Sequence, residues 1–354
     1  MSRFLSSRFA DLKAYTPGEQ PQNMQYIKLN TNESPFPPPP QVITAVNEAE
    51  VSGLNLYPDP ECKILRGKIA GLYGVQTENV FLSNGSDDIL NFFFMAFCDG
   101  SRPVVFPDIT YGFYQVYSDL YRLPRTVIPL QEDFTLNYRD YCGIDANVVI
   151  ANPNAPTGIS IPVAQIEAIL QSNPDYAVLV DEAYVDFGGE SCYRLIDRYD
   201  NLVVCRTFSK SWSMAGARLG YAIGSVGIIE DLNKIKFSTN PYSINRLTLA
   251  AGSAAVDNYD YFRRNCEVIR ENRAFAVEGL KKLGFETLPS DANFILTRHP
   301  DRDGKELYEA LKTRGVLVRR WDQPRIRDYL RVTIGSQEQM EVFLATLNDI
   351  LKGE

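Results

Sequence analysis

Short apolar runs recur along the first two thirds of the chain, and longer stretches of mixed apolar and polar residues separate most of them. Seven such runs cover residues 80–82, 103–106, 126–130, 148–151, 177–180, 202–207 and 220–223. Runs of this length, rich in β-branched residues, are typical of buried strands. Their alternation with helix-compatible segments predicts an α/β fold with a mostly parallel, seven-stranded sheet.

The pattern changes after residue 241. A long helical segment runs through NRLTLAAGSAAV and beyond, and a final helix closes the chain. Between them lie three strand-like pieces, at residues 293–297, 316–319 and 330–333. A chain this long usually forms more than one domain. We therefore predict an N-terminal arm (1–30), a large ligand-binding domain (31–241) and a smaller α+β domain (242–354).

Composition and charge narrow the class of partner. The chain of 354 residues has a net charge of -8 and a pI near 5.0, which argues against binding to nucleic acid. The most apolar run, residues 89–98, is too short to cross a membrane. The N-terminus lacks the continuous apolar core of a secretory signal. We expect a cytoplasmic protein that acts on small molecules.

Cysteine and histidine usage removes several mechanisms. The six cysteines are scattered without a C-x-x-C pair, which is typical of free thiols in a reducing compartment. His299 is the single histidine and stands in a polar stretch, so it alone could serve a catalytic triad or an imidazole metal site. We expect no metal. Acid–base work therefore falls to Lys, Tyr, Asp, Glu or a cofactor.

Polar motifs stand where two of the predicted strands end, and in doubly wound sheets ligands bind at these carboxyl ends. The first motif is SNGSDD, residues 83–88. Gly85 permits a tight turn there, and Ser86 or Asp87 suits a helix start, whose exposed amides bind anions. The second motif is NPNAPTG, residues 152–158, a rigid bent loop. Each by itself is also typical of a plain cap or turn.

Two further strand ends carry an acid and an amine. Asp181 ends an apolar strand, where a carboxylate is costly unless a backbone cap or a cationic ligand satisfies it. Lys210 follows a later strand, as either a surface charge or an imine-forming amine with a lowered pKa. Ser209 and Arg218 flank it with natural phosphate ligands. Together the four strand ends supply the anion cradle, ring-nitrogen counter-ion and amine that pyridoxal phosphate needs.

These motifs resemble those of the fold-type I pyridoxal-phosphate aminotransferases over essentially the whole chain. The matching segments are AYTPGEQP, KLNTNESPF, YPDP, SNGSDD, ITYGFY, NPNAPTG, VDEAYVDF, TFSKSWSMAGARLGY and LRVTIGS. Within that family, KLNTNESPF and LRVTIGS resemble the histidinol-phosphate aminotransferases. The resemblance implies the fold-type I architecture and pyridoxal 5'-phosphate as the cofactor.

The resemblance also implies roles around the cofactor ring. Lys210 would bond the cofactor as an imine and then move the proton between the substrate α-carbon and the cofactor. Asp181 would pair with the protonated ring nitrogen. Tyr184 would hydrogen-bond the ring oxygen, and Tyr111 would stack on the ring face.

The cofactor phosphate and the second subunit are assigned in the same way. Ser86 and Asp87, together with Ser209 and Arg218, would hold the phosphate. Tyr57 would reach the phosphate bound to the neighbouring subunit, which implies a homodimer.

Late arginines would recognise the substrate. Arg331 would bind the carboxylate of glutamate and the phosphate of histidinol phosphate, with Arg319 as its helper. Tyr15 and Asn32 would line the pocket. The nearby arginines interpreted as surface charges are Arg320, Arg325 and Arg327.

Two positions depart from the usual family pattern. Ala155 stands where the family has an asparagine whose amide meets the ring oxygen. We assign that role to Asn154, the nearest amide. Asp88 stands where glutamate is common, and we expect little consequence.

The expected reaction is transamination between L-histidinol phosphate and 2-oxoglutarate. An aromatic amino acid could occupy the same pocket, and related enzymes decarboxylate threonine phosphate, so both alternatives stay open. A catalytically silent ligand-sensing module is the alternative from another class. Intact Lys210, Asp181 and Arg331 argue against it.

Overall fold

The computed structural model describes residues 5–9 and 11–353. Its α-helices are α1 (Pro40–Ala45), α2 (Glu48–Ser52), α3 (Lys63–Tyr73), α4 (Ser86–Phe97), α5 (Phe113–Tyr121), α6 (Val163–Ser172), α7 (Val226–Thr239), α8 (Arg246–Asp257), α9 (Tyr259–Lys282), α10 (Gly304–Thr313) and α11 (Gln337–Lys352). Its strands are β1 (Ile27–Lys28), β2 (Val80–Ser83), β3 (Val104–Pro107), β4 (Arg125–Ile128), β5 (Asn147–Ala151), β6 (Val178–Asp181), β7 (Leu202–Thr207), β8 (Gly220–Gly224), β9 (Glu286–Thr287), β10 (Phe294–Arg298), β11 (Val316–Leu317) and β12 (Leu330–Thr333). None of the described helices is both long enough and apolar enough to cross a membrane.

The central sheet has seven strands in the order β2-β8-β7-β6-β5-β3-β4. Strands β7, β6, β5, β3 and β4 run parallel, whereas β8 is antiparallel to both of its neighbours. Every residue of β5, β6 and β7 is buried, because apolar clusters cover both faces of the sheet. The seven predicted apolar runs correspond to β2–β8, so the predicted α/β fold with a mostly parallel sheet is confirmed.

The C-terminal part is built on a smaller, antiparallel sheet in the order β12-β10-β9. The predicted long helix is two helices, α8 and α9, because the chain leaves helical geometry at Asn258. Strand β1 pairs in parallel with β11, so residues 27–28 of the predicted arm are joined to residues 316–317. The division of the chain at residues 30 and 241 stays a prediction.

The antiparallel strand β8 lies beside β2, which pairs with it along its whole length. Ser83, the last residue of β2, pairs with Gly220, the first residue of β8. A Cβ added at Gly220 would lie 2.5 Å from the Gly85 carbonyl carbon and from the Ser86 nitrogen. Only glycine therefore lets the turn after β2 pack directly on the β8 backbone.

A buried ion-pair network joins β7 to the segment that follows β6. Arg206 of β7 donates from Nη1 to Glu182 Oε2 at 3.2 Å and from Nη2 to Asp186. Ser191 donates to Glu182 Oε2 at 2.5 Å, and Ser211 donates to Asp186 Oδ2 at 2.6 Å. The network thereby connects Ser211, the residue after Lys210, to the segment that follows β6.

Replacing Arg206 by methionine should lower the free energy of unfolding by about 3–5 kcal/mol, because Glu182 would stay buried without its cation. Urea unfolding followed by fluorescence measures this loss. Lys63→Met is the control, since the Lys63–Glu61 pair is exposed and its loss should hardly change the free energy of unfolding. Equal destabilisation by both variants would show that the buried Arg206–Glu182 pair is no more important for stability than an exposed ion pair.

Candidate active site

A cavity of about 640 Å³ opens where the strands of the central sheet end. Its lining includes twelve of the residues proposed from the sequence: Tyr15, Asn32, Ser86, Asp87, Tyr111, Asp181, Tyr184, Ser209, Lys210, Arg218, Arg319 and Arg331. The fold therefore brings together residues that lie as far apart along the chain as positions 15 and 331.

Lys210 follows β7, and its amine lies in this cavity. The Nζ atom donates a hydrogen bond to the Thr31 carbonyl at 3.1 Å. Burial, together with the positive charges of Arg331 and Arg218, lowers the pKa of Lys210 to about 8. The uncharged amine, which is the form that attacks a carbonyl carbon, is therefore far more abundant near neutral pH than in an ordinary lysine.

Asp181 is the last residue of β6 and is buried at the floor of the cavity. Its carboxylate accepts hydrogen bonds from Tyr114 Oη at 3.0 Å and from the Ala183 amide at 3.1 Å. Burial raises the pKa of Asp181 to about 6, and the two hydrogen bonds oppose that rise. The carboxylate is therefore mostly ionised at neutral pH and suits a cationic ring nitrogen.

The start of α4 forms an anion cradle beside Arg218. Gly85 has a φ of +87°, and a Cβ added there would lie 2.8 Å from Arg218 Nη2. Arg218 Nη2 donates to Asp87 Oδ2 at 2.9 Å. The exposed amides of a helix start and a guanidinium are the groups that proteins use to hold a phosphate. The residues present therefore fit the phosphate of the predicted cofactor.

Arg331 lies between two aromatic rings. Its guanidinium carbon is 5.3 Å from the Phe294 ring centre and 5.2 Å from the Trp321 ring centre. Nη2 donates to the Asn30 carbonyl at 2.8 Å, whereas the buried Nε atom has no hydrogen-bond partner among the described residues. A buried donor without a partner is costly, so Nε is suited to an anionic ligand.

Trp321 was not among the predicted residues, although it lines the cavity. The guanidinium carbon of Arg319 is 5.5 Å from its ring centre, so Arg319 and Arg331 both stack on the same indole. Arg319 also donates to the carbonyls of Thr16 and Pro17. The negative faces of the indole stabilise two like charges that lie close together. An aromatic residue directly after the Arg319–Arg320 pair was the available signal.

Asn154 does not take the position predicted for it. Its Nδ2 atom donates to the Ile109 carbonyl at 2.9 Å and to Thr157 Oγ1 at 3.0 Å. Its Oδ1 atom accepts from Thr110 Oγ1 at 2.8 Å, and the residue does not line the cavity. The predicted contact with the ring oxygen is therefore corrected, because the amide is used inside its own loop.

Tyr57 also lies outside the cavity of its own chain. Its side chain is 78% exposed and stacks on Tyr242, with ring centres 4.4 Å apart. The role predicted for it requires a second copy of the chain and stays a prediction.

The amino-acid sequence of the chain matches a family of known proteins. The sequence model of the family described as aminotransferase class I and II matches residues 24–347. The chain belongs to this family. The predictions of a fold-type I aminotransferase and of pyridoxal phosphate as its cofactor are thereby confirmed.

Other aminotransferases of known name are similar over their full length. A histidinol-phosphate aminotransferase of Brachyspira hyodysenteriae is 46% identical over 353 residues, covering 99% of this chain and 100% of the relative. Histidinol-phosphate aminotransferase 1 of Pseudomonas aeruginosa is 45% identical over 348 residues, covering 98% and 99%.

Solved aminotransferase structures share the fold. The histidinol-phosphate aminotransferase of Sinorhizobium meliloti, solved in complex with pyridoxal-5'-phosphate, superposes with a TM-score of 0.86 at 23% identity and covers 93% of this chain and 92% of its own. The L-threonine-O-3-phosphate decarboxylase of Porphyromonas gingivalis superposes with a TM-score of 0.80 at 22% identity, covering 92% and 99%. The fold therefore does not distinguish these two chemistries.

Proposed function

We propose that this aminotransferase transfers the amino group of L-histidinol phosphate to 2-oxoglutarate, giving imidazole acetol phosphate and L-glutamate in histidine biosynthesis. The observation that carries the proposal is the pair of arginines stacked on Trp321, with the Nε atom of Arg331 unpartnered. Two adjacent guanidiniums suit a phosphate monoester dianion. Full-length identity of 45–46% to proteins of that name supports it.

The residues around the cofactor ring have separate tasks. Pyridoxal phosphate, when bound, supplies an electron-withdrawing ring that acidifies the hydrogen on the substrate carbon next to nitrogen. The Lys210 amine accepts and returns that proton, which its lowered pKa permits near neutral pH. The Asp181 carboxylate, which lines the cavity, would balance a positive charge on the ring nitrogen. The Tyr184 hydroxyl, which lines the same cavity, would hydrogen-bond the ring oxygen.

Residues at the cavity wall hold the anionic groups. Ser86 and Asp87 at the start of α4, with Ser209 and Arg218, line the cavity and would hold the cofactor phosphate. This phosphate anchor keeps the ring in one place while the amine substrate changes.

Two arginines of the cavity, the pair stacked on Trp321, bind an anionic group of each substrate. Arg331 and Arg319 bind the phosphate of histidinol phosphate in one half-reaction and a carboxylate of 2-oxoglutarate in the other. Tyr15 and Asn32 line the same cavity. Burial raises the pKa of the Tyr15 phenol, so it stays a neutral hydrogen-bond donor near an anion.

Steady-state assays with 2-oxoglutarate as acceptor test the proposed substrate. We expect kcat/KM to be highest for L-histidinol phosphate and lower for L-phenylalanine and L-tyrosine. An aromatic amino acid offers a carboxylate, whereas the Arg319–Arg331 pair suits a dianion. A higher value for L-phenylalanine or L-tyrosine would make this an aromatic aminotransferase. Release of carbon dioxide from threonine phosphate would make it a decarboxylase.

Replacing Arg331 by lysine should lower kcat/KM for L-histidinol phosphate and for 2-oxoglutarate by about 10- to 100-fold each. Lysine keeps the charge but has neither the Nε donor nor a planar group to stack between Phe294 and Trp321. Steady-state kinetics with each substrate varied in turn measures both values. Arg327→Lys is the matched control and should change neither, since Arg327 is exposed and pairs with Asp328. Unchanged kinetics in the Arg331 variant would contradict the proposal that Arg331 binds the anionic group of both substrates.

Covalent capture of pyridoxal phosphate by the cofactor-free protein should accelerate with pH and reach half its maximum near pH 8. Only the uncharged amine attacks the aldehyde, and burial lowers the pKa of Lys210 to about 8. Stopped-flow absorbance between about pH 6.5 and 9.5 measures the rate. The reaction of a free lysine derivative corrects for titration of the cofactor itself. A rate that follows an ordinary lysine, with a pKa of about 10.4, would contradict the shift.

A homodimer in which Tyr57 reaches the phosphate of the partner's cofactor is part of the proposal. Exposed apolar side chains gather in one segment around that residue: Val51, Leu54, Leu56, Tyr57 and Ile64. Apolar surface of this kind is typical of an interface between subunits. A cytoplasmic location is also proposed, supported by the six free cysteines.

A further inference from the structure

One turn, residues 30–32, contacts three groups of the active site through three consecutive residues. The contacts are Arg331 Nη2 to the Asn30 carbonyl at 2.8 Å, Lys210 Nζ to the Thr31 carbonyl at 3.1 Å, and Asn32 Nδ2 to Tyr184 Oη at 3.1 Å. The first two contacts use backbone carbonyls. Asn32 is therefore the residue of this turn whose side chain is directed at a catalytic group.

The Asn32 side chain is held in one orientation. Its backbone amide donates to Thr333 Oγ1 at 3.0 Å, and the same hydroxyl donates to Asn32 Oδ1 at 3.0 Å. Asn293 Nδ2 donates to the Asn32 carbonyl at 3.1 Å. Because Thr333 engages Oδ1, the amide nitrogen is turned to Tyr184, and the residue is 1% exposed.

This contact decides where the Tyr184 hydroxyl hydrogen points. A phenolic hydroxyl has one hydrogen to donate and can also accept. By donating to Tyr184 Oη, Asn32 uses the acceptor side of that oxygen and leaves its hydrogen for the cavity, where the cofactor ring oxygen would lie. Burial raises the pKa of the Tyr184 phenol, so that hydrogen is retained near neutral pH.

The loop at residues 152–158 does not supply this function. Ala155 has no polar side-chain atom and packs with Tyr184 and Phe294. The Asn154 amide is engaged by Ile109 and Thr157. The donor toward the ring oxygen is thus left to Tyr184, whose orientation depends on Asn32.

We propose that Asn32 is a positioning residue that directs the Tyr184 hydroxyl toward the cofactor ring oxygen, and so favours the form of the bound cofactor that has lost a proton. Asn32 acts through Tyr184, and the inference rests on the role proposed above for Tyr184. It differs from lining the substrate pocket, because its effect exists before any substrate is bound.

The test is the pH midpoint of the visible absorbance of the holoenzyme without substrate. Asn32 has a φ of +54°, so Asn32→Gly removes the amide while keeping the backbone conformation accessible. We expect the midpoint to rise by about 0.5 to 1 pH unit, the value of one hydrogen bond. Tyr184→Phe should raise it by at least as much. In the double variant, Asn32→Gly should add nothing to Tyr184→Phe.

Each outcome decides a separate point. An unchanged midpoint in Asn32→Gly overturns the inference. A shift of undiminished size in the Tyr184→Phe background also overturns it, since Asn32 would then act by another route. An unchanged midpoint in Tyr184→Phe alone removes the proposed role of Tyr184 itself.

Substitutions of Thr333 test the orientation of Asn32 without changing Asn32 itself. Thr333→Val removes the hydroxyl that orients Asn32 and should raise the midpoint, whereas Thr333→Ser keeps the hydroxyl and should restore the wild-type value. Equal midpoints for the valine and serine variants would contradict orientation through Thr333 and with it the inference.

Discussion

Replacing Lys210 by alanine is expected to reduce amino transfer from L-histidinol phosphate by at least about 10⁴-fold, the largest effect of any single change in the site. Among the described residues that line the cavity, Lys210 is the only lysine, so no other amine there could take over the proton between substrate and cofactor. Single-turnover absorbance measurements give the residual rate, and reduction with borohydride followed by mass analysis shows whether cofactor is bonded to the chain.

Lys210→Arg separates the amine from its charge. Arginine keeps a cation near the Thr31 carbonyl but stays protonated, so it neither attacks an aldehyde nor accepts a proton near neutral pH. The loss should therefore be as large as in the alanine variant. A small added amine should restore part of the alanine variant's activity and little of the arginine variant's. Residual transfer above about 1% in either variant would remove Lys210 from its role.

Replacing Asp181 by asparagine is expected to lower kcat by about 10³-fold while cofactor occupancy changes little. The buried carboxylate would no longer balance the charge on the ring nitrogen, and loss of a partner from such a pair costs about 3–5 kcal/mol. The phosphate cradle at α4 and Arg218 lies elsewhere in the cavity, so binding of the cofactor should persist. Absorbance of the purified holoenzyme measures occupancy, and steady-state kinetics measures kcat.

Tyr114→Phe is the matched control for Asp181. It removes a neutral donor 3.0 Å from the carboxylate but leaves the charge in place, so kcat should fall by only about tenfold. An Asp181→Asn variant that transfers amino groups as well as the Tyr114 variant would show that the negative charge is not needed.

The central sheet was predictable because each of its buried strands can be recognised from the apolar residues of that strand alone. Strands buried on both faces must be apolar at almost every position, and β5, β6 and β7 meet that condition along their whole length. Asn258 shows the limit of that reasoning. The apolar periodicity continues past it, and only the geometry of the folded chain separates α8 from α9.

The site was predictable where residues stand at strand ends, because parallel strands end at one edge of the sheet. Asp181 and Lys210 belong to this class. The Asn154 amide does not, since its direction depends on the path of a loop and on Thr110 from another segment. The contact of Lys210 with Thr31 involves a backbone carbonyl, and no side-chain pattern indicates such a partner.

The contacts that the 30–32 turn makes with Arg331 and Thr333 each span 301 residues of chain. During synthesis on the ribosome, Lys210 is therefore made more than 100 residues before Arg331 and Thr333, which complete its pocket. A chain halted before residue 331 contains Lys210 and Arg218, but it lacks Arg331 and Thr333, the residue that orients Asn32. The pocket can therefore be completed only after residue 333 has been synthesised.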